Sequence, residues 1–364
     1  MTSIPRHQQV FESLRQAILT GKYEPGHKLP SEAMLVRQFG ASRITIGRAL
    51  RDLQSKGFVE RRAGSGTYVR ANKAPAATGD SAGYTFGLLI PELGQTEIFE
   101  PICQGMSQST RMTDHVLLWG HSAPSASPQE NALQMCRQFV NRRVTGVFFA
   151  PFEWGPDRDR VNQQILEIFD GARIRVILLD RDALPYPRRS AVDLVGIDNR
   201  RAGFLAADHL LNQGAKNLAF VALPHSAATV DARIAGFHEA LLRRNAAIAP
   251  HQVWTLDPRD ANAVQQSLQA FPADGILAAN DRTAGHLMHT LLNLGHRIPA
   301  HIRVTGFDDT GYAALLPVPL TTVRQPCREV GEAAISAMLE RVANPGLPPR
   351  EILLDSALII RSSS

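Results

Sequence analysis

The stretch that most restricts this 364-residue chain is residues 29–69, LPSEAMLVRQFGASRITIGRALRDLQSKGFVERRAGSGTYV. Its pattern predicts a helix, a turn, a second helix opening at Ser42, and a short hairpin tipped by Gly64, Ser65 and Gly66. Ser42 can cap the second helix, because a serine oxygen accepts from a free backbone N–H of the first turn. Behind it Ile46, Ala49, Leu50 and Leu53 recur at i, i+3, i+4 and i+7, so one stripe is buried while Arg43, Arg48 and Arg51 are left for solvent or phosphate. Arg43 and Thr45 fall in the first turn, and a helix in this role offers its N-terminal residues to base edges in the major groove of DNA. The order of elements is that of a winged helix-turn-helix.

The charge distribution points the same way. The whole chain carries +5, but residues 1–70 hold 12 Lys and Arg against 5 Asp and Glu, a balance of +7, whereas the remainder is −2. A basic module on a near-neutral body is the footprint of a protein that meets double-stranded nucleic acid with one end. Composition is ordinary for a globular chain, 44% apolar and 20% charged, and the length allows two or three domains. Arg6, Glu12 and Arg15 interrupt the N-terminus where a signal peptide needs an apolar run, and no stretch of about 18 apolar residues occurs, so a cytoplasmic protein without a membrane partner is expected. Cys103, Cys136 and Cys327 are odd in number and far apart, which suits reduced thiols.

Along the chain, a first helix is predicted from about His7 to Thr20, ended by Gly21. Residues 1–70 form the expected DNA-binding domain. The segment ANKAPAATGDSAG, residues 71–83, leaves nothing to bury and reads as a flexible linker. From residue 84 to 364 short apolar runs alternate with helical segments: TFGLLI (85–90), HVLLW (115–119), TGVFFA (145–150), RVILLD (175–180), NLAFVA (217–222), DGILAA (274–279) and IRVTGF (302–307). Runs so uniformly apolar imply strands covered on both faces, as in parallel α/β sheets. Polar residues gather where the runs stop, at Asp180, Asn280, Asp281, Asp308 and Asp309, which is where open α/β sheets bind small ligands.

These motifs carry two resemblances. Residues 8–69 resemble the GntR family of bacterial transcription factors through GKYEPGHKLPSE (21–32), SRIT (42–45) and the wing RRAGSGTYV (61–69). Residues 84–361 resemble the effector domain of the LacI/GalR repressors, a relative of the periplasmic sugar-binding proteins, through ILLDRD (177–182), GIDNRRAGFLAADHLLNQG (196–214), ARIAGF (232–237), AANDRTAG (278–285) and VTGFDDTGYAALLPVPLTTVRQP (304–326). The first resemblance implies that Arg43 and Thr45 reach an operator and that Gly66 approaches the minor groove. This chain departs from the family at Ala33 and Gly47, where arginine is common. The second implies that Asp180, Arg233, Asn280 and Asp308 bind sugar hydroxyls, with Asp281 and Gln325 close to the same cleft. It also implies a two-lobed, periplasmic-binding-protein-like domain of parallel sheets. The chain should cross between lobes near Val195 to Asn199, near Val323 to Gln325 and close to residue 345.

The chemistry of these residues suits a sugar on its own terms. Each hydroxyl both donates and accepts, so acceptor-only carboxylates, a multi-donor Arg and a bifunctional Asn converging in a cleft make a sugar site. Phe99, Phe152 and Trp154 follow strand ends and could supply aromatic faces, or serve as ordinary packing. Asp281 has a second reading as the cap of the helix that starts there, and Asp309 as a turn residue. His286 and His289, one turn apart, lack a carboxylate or Cys to complete a metal site, and no cofactor is implied. No Gly-x-Ser-x-Gly, paired catalytic carboxylates or Cys/His arrangement is present, so an enzyme is not expected. The expectation is a ligand-responsive transcriptional regulator, a repressor of carbohydrate-utilisation genes, acting as a homodimer on a pseudopalindromic operator. A nucleoside or purine ligand, and a degenerate effector domain, stand as alternatives.

Overall fold

The computed structural model describes residues 6–19, 23, 26–55, 58–62, 65–69, 83–91, 97–120, 127–153, 155, 157–246 and 248–364. The chain divides into two compact units, residues 1–81 and 82–364.

In the first unit, α1 (Arg6–Leu19), α2 (Glu32–Phe39) and α3 (Arg43–Ser55) precede a hairpin of β1 (Val59–Arg62) and β2 (Gly66–Val69). Ser31 caps α2 by accepting from the Met34 N–H at 3.3 Å, and Gly40 ends it with φ of 57°. Ser42 caps α3 as expected, accepting from the Thr45 N–H at 3.2 Å. The predicted stripe of Ile46, Ala49, Leu50 and Leu53 joins Val10, Phe11 and Leu14 of α1, Leu35 of α2, and Val59 and Val69 of the hairpin in one core. The hairpin pairs Val59 with Val69 and Arg62 with Gly66. Residues 27–29 add to its edge, since the Leu29 N–H donates to Thr67 O at 2.8 Å and the Val69 N–H to His27 O at 2.9 Å. The predicted helix end at Gly21, Gly64 of the hairpin tip, and all of the expected linker except Gly83 lie outside the described residues.

The second unit holds two six-stranded sheets. The first lobe is built in chain order from β3 (Thr85–Leu89), α4 (Phe99–Gln108), β4 (Val116–Trp119), α5 (Pro128–Asn141), β5 (Gly146–Phe149), α6 (Arg158–Gly171), β6 (Arg175–Leu179) and β7 (Asp193–Ile197). The second lobe follows with α7 (Asn199–Asn212), β8 (Leu218–Ala222), α8 (Ala228–Arg243), β9 (Val253–Thr255), α9 (Ala261–Ala270), β10 (Gly275–Ala278), α10 (Asp281–Asn293), β11 (Arg303–Asp308) and β12 (Thr321–Arg324). Then α11 (Cys327–Ala343) and β13 (Glu351–Leu354) return to the first lobe, and β14 (Ala357–Ile359) to the second. Strand orders are β13-β7-β6-β5-β3-β4 and β14-β12-β11-β10-β8-β9. Within these two sheets every pairing is parallel except β12 with β14.

All seven apolar runs are strands, and each sheet is sandwiched between two apolar clusters. β4 is the exception to two-sided burial: as an edge strand it leaves Val116 and Trp119 each 51% exposed. The first two lobe crossings fall where expected, between β7 and α7 and between β12 and α11. The third does not lie close to residue 345. There the chain runs from α11 to β13, both in the first lobe, and the crossing occurs between β13 and β14, at Asp355 and Ser356. The change of sheet was hidden because β14 is only a three-residue antiparallel edge strand, separated from β13 by two residues.

Candidate functional site

On the head, α3 keeps its polar face outward. Arg43, Arg48 and Arg51 are all exposed. The Arg43 side chain is 84% exposed, with Nε 3.7 Å from the Glu32 carboxylate. The Ser42 and Thr45 hydroxyls bond each other at 2.8 Å, so both sit at the cap. Ile44 was missed by the sequence reading. It is an apolar residue off the buried stripe, 82% exposed beside Arg43, of the kind that contacts a thymine methyl. At the wing, the Ser65 hydroxyl pairs with the Tyr68 hydroxyl at 2.6 Å. Gly66 has φ of 124°, and a Cβ there would stand 2.7 Å from Lys28 Cε. The bare backbone thus admits a basic side chain to the wing, which adds Lys28 to the cationic surface.

In the second unit, the expected acids end two strands on facing lobes. Asp180 follows β6 with φ of 69° and Asp308 closes β11 with φ of 106°. Non-glycine residues held there cost about 1–3 kcal/mol each, and such strain gathers at ligand clamps. Asp180 Oδ2 accepts from Arg181 Nε at 2.9 Å, and Arg181 Nη1 meets the Glu153 carboxylate at 2.9 Å. All three are buried, and Asp180 Oδ1 has no hydrogen-bond partner among the described residues. Burial opposes the charge on Arg181, but Glu153 and Asp180 more than offset that, and its pKa is raised. The guanidinium lies 5.8 Å from the Phe99 ring centroid, which places the 3%-exposed Phe99 beneath the site.

On the second lobe, Arg233 of α8 donates from Nε to Asn199 Oδ1 at 2.9 Å and from Nη1 to Ala279 O at 2.6 Å, stacked 4.5 Å from the Phe307 ring centroid. α8 lies close enough to α7 that a Cβ on Gly203 would be 2.1 Å from the Arg233 carbonyl oxygen, so the glycine fixes where Arg233 starts. Asp308 accepts from Gln325 Nε2 at 2.7 Å. Its carboxyl is pushed up to about 6, chiefly by desolvation, with Asp180 and Glu153 adding to the rise and Arg233 and Gln325 opposing it. The acids of the two lobes therefore feel one another. No ion pair joins Arg233 to Asp308 among the described residues.

Two expectations, both for Asp281, need correction, and the open reading of Phe152 resolves to packing. Asp281 does not face the cleft. Its side chain is fully buried and accepts from the Thr322 hydroxyl at 2.6 Å and from the Thr310 N–H and hydroxyl at 2.8 and 3.1 Å, tying α10 to the segments around β11 and β12. Desolvation, followed by Asp308, pushes it up to about 7. Nor does it cap α10: Asn280 does, accepting from the Thr283 N–H at 2.8 Å. Phe152 is core, packed with Val161 and Ile165, its backbone N–H and C=O both bonded to the Asn162 side chain at 2.8 and 3.2 Å. Trp154 lies outside the described residues.

The sequence reading missed Glu153, Arg181, Asn199 and Arg158. Arg181 and Asn199 sit inside the quoted segments LLDRD and GIDNRR, but only burial reveals their pairing. Arg158 opens α6 and donates from Nη1 to Glu153 O at 3.0 Å, to His225 O at 2.9 Å and to Ser226 O, bridging the lobes away from the crossings. A cavity of about 410 Å³ flanks the first crossing, lined in part by Asp180, Arg181, Ile197, Asn199 and Thr229. The three cysteines are free thiols, and among the described residues no cluster of His, Cys, Asp and Glu could hold a metal ion.

A basic reading helix with a wing, joined to a two-lobed cleft whose crossings carry cleft residues, defines a ligand-responsive DNA-binding transcriptional regulator. Residues 6–69 match the model of bacterial regulatory proteins of the gntR family, and residues 207–364 that of the periplasmic binding protein-like domain. The chain therefore combines a GntR winged-helix head with a periplasmic-binding-protein-like domain. It is 23% identical over 371 residues to the arabinose metabolism transcriptional repressor of Geobacillus stearothermophilus, covering 100% of this chain and 98% of that one. It is 23% identical over 334 residues to the ribose operon repressor of Bacillus subtilis strain 168, covering 89% and 96%. A LacI family transcriptional regulator from Enterococcus faecium, solved with bound ribose, superposes with a TM-score of 0.62 at 23% identity, over 77% of this chain and 98% of that one. The relatives are regulators, and this chain is a regulator rather than an enzyme.

Proposed function

We propose that the chain is a cytoplasmic repressor of carbohydrate-utilisation genes whose operator affinity is set by a monosaccharide, a pentose in particular. In this reading residues 1–70 bind DNA, 71–83 link, and 84–364 sense the sugar and dimerise. Ser42, Arg43, Ile44, Thr45, Arg48, Arg51, Lys28, Ser65 and Gly66 form the DNA surface. Phe99, Asp180, Arg181, Arg233, Asn280, Asp308 and Gln325 surround the sugar. The observation that carries the reading is the convergence of Asp180 and Asp308 from opposite lobes, each beside a buried arginine. The names of the arabinose and ribose repressors, and the ribose bound in the Enterococcus protein, support a pentose. Two-fold symmetry would match a pseudopalindromic site. Closure would bend the three crossings, and allosteric coupling of about 1–3 kcal/mol would alter operator affinity roughly 5–150-fold.

The test uses the full chain with DNA from upstream of its own gene. Titration with L-arabinose, D-ribose and D-xylose is expected to give saturable heat with one of them, and fluorescence anisotropy a change in DNA affinity within that range. Binding of DNA with no response to any of the three would remove the pentose; heat without altered DNA binding would remove the coupling.

A further inference from the structure

The loop between β5 and α6 brings to the cleft an acid that no motif announced. Glu153 is 5% exposed and takes one arm of Arg181 at 2.9 Å, while Arg181 Nε takes Asp180 Oδ2 at 2.9 Å. One guanidinium is thus divided between two buried carboxylates. A guanidinium beside a single carboxylate engages both oxygens with its fork. Here that fork is pulled open, and Asp180 Oδ1 is left buried without a donor among the described residues. A buried acceptor without a donor costs free energy, which a bound donor recovers.

We infer that Glu153 is a positioning residue: by drawing Arg181 aside it keeps Asp180 Oδ1 open for a hydroxyl of the bound sugar, an inference that rests on the sugar reading above. Glu153 is itself held from several sides. The Asn162 side chain fixes the preceding residue through both backbone groups, and Arg158 holds the Glu153 carbonyl while Arg158 Nε is anchored at 3.1 Å on Asp159. Remove the Glu153 charge and Arg181 closes its fork on Asp180, occupying the oxygen that the ligand needs. The consequence is specificity. A site that presents a dry, open acceptor demands a donor at that point, so it takes a sugar bearing a hydroxyl there and rejects the deoxy analogue.

The test is Glu153→Gln in the full chain, which keeps the shape and removes the charge. A crystal structure of the variant is expected to show Arg181 bidentate on Asp180. Calorimetric titration with L-arabinose, D-ribose, D-xylose and 2-deoxy-D-ribose at pH 7 is expected to show the preferred sugar weakened tenfold or more, with its advantage over the deoxy sugar narrowed. Glu153→Asp, which retains the charge, should restore most of that advantage; if Glu153→Gln does not fold, a full advantage in Glu153→Asp with Arg181 still divided supports the inference, and a lost advantage with Arg181 still divided overturns it. An unmoved Arg181 in Glu153→Gln, or unchanged discrimination, also overturns it. If the wild-type protein takes up none of the four sugars, the sugar reading fails, and the position of Arg181 in the variant alone decides whether Glu153 steers it.

Discussion

The DNA-reading head and the ligand cleft use the same residue type in opposite ways. In the head, arginines stand on the outside of a helix whose other face is the core. Stability and recognition occupy separate stripes, and the Arg43–Glu32 contact, with an 84%-exposed arginine, contributes little to folding. In the cleft, Arg181 and Arg233 are 4% and 5% exposed and bonded to neighbouring protein groups, so the groups proposed to meet the ligand also hold the lobes in shape. The difference follows from the partners. A polyanion is met by solvated cations at long range, whereas a neutral polyol is met only by desolvated groups that compete with water.

If that contrast holds, deleting one arginine should have different costs in the two places. Arg233→Ala leaves Asn199 Oδ1 and the Ala279 carbonyl without their donor and Asp308 without its cation. The expected loss is about 1–3 kcal/mol of stability in the second unit for each stranded acceptor, read by calorimetry, together with the ligand response. A fully stable Arg233→Ala protein would break the contrast.

The buried acids sharpen it through pH. Asp281 and Asp308 titrate at about 7 and 6 in the fold, above an unfolded value near 4. Below about pH 4 both states hold these protons and nothing is lost. From about pH 4 to 7 the native state binds more protons than the unfolded one, so stability falls as pH rises, by at most about 1.4 kcal/mol per unit for each proton. Urea denaturation of wild type against Asp281→Asn should show a decline over that window that the variant flattens. Parallel curves would mean that Asp281 ionises normally.

The smallest expected effect on folding belongs to the head. Arg43→Ala should leave stability within about 0.5 kcal/mol. It should cost about 1–3 kcal/mol at the operator if Arg43 contacts a guanine, with binding to random DNA nearly intact. Equal loss on both DNAs would make it a phosphate contact.

The same contrast explains what the sequence revealed. The head is local: cap, stripe and hairpin lie within residues 29–69, and periodicity alone separates its buried from its exposed face. The sheets were legible at seven strands that read as uniformly apolar runs, but not at β7, fully buried although its five residues include Asp193 and Gly196, nor at the half-exposed edge strand β13. Nor were they at β12, whose Thr321 and Thr322 are buried because their hydroxyls are bonded, to Arg361 O and Asp281, or at three-residue β9 and β14. In the cleft the strand-end acids Asp180 and Asp308 could be read from where apolar runs stop. Asp281 shares that position, and only its three internal donors reveal that it points away. Glu153 and Arg158 had no periodic signal, because their roles come from a loop folded against residues far along the chain.

Two of the three crossings have a bearing on how such a sensor changes over time. Asn199 and Gln325 stand at the first and second crossings, and each is bonded to a cleft residue, Arg233 and Asp308. If Arg233 and Asp308 bind the sugar as proposed, a substitution at either position would alter both what is recognised and how far recognition moves the lobes, so selection for a new sugar there would drag the response along. Glu153 lies in a first-lobe loop outside every crossing. If Glu153 steers Arg181 as inferred, a lineage or a laboratory library that seeks a new ligand can vary that acid without touching a crossing residue, provided Arg158 keeps its hold on the loop and on Ser226 of the other lobe.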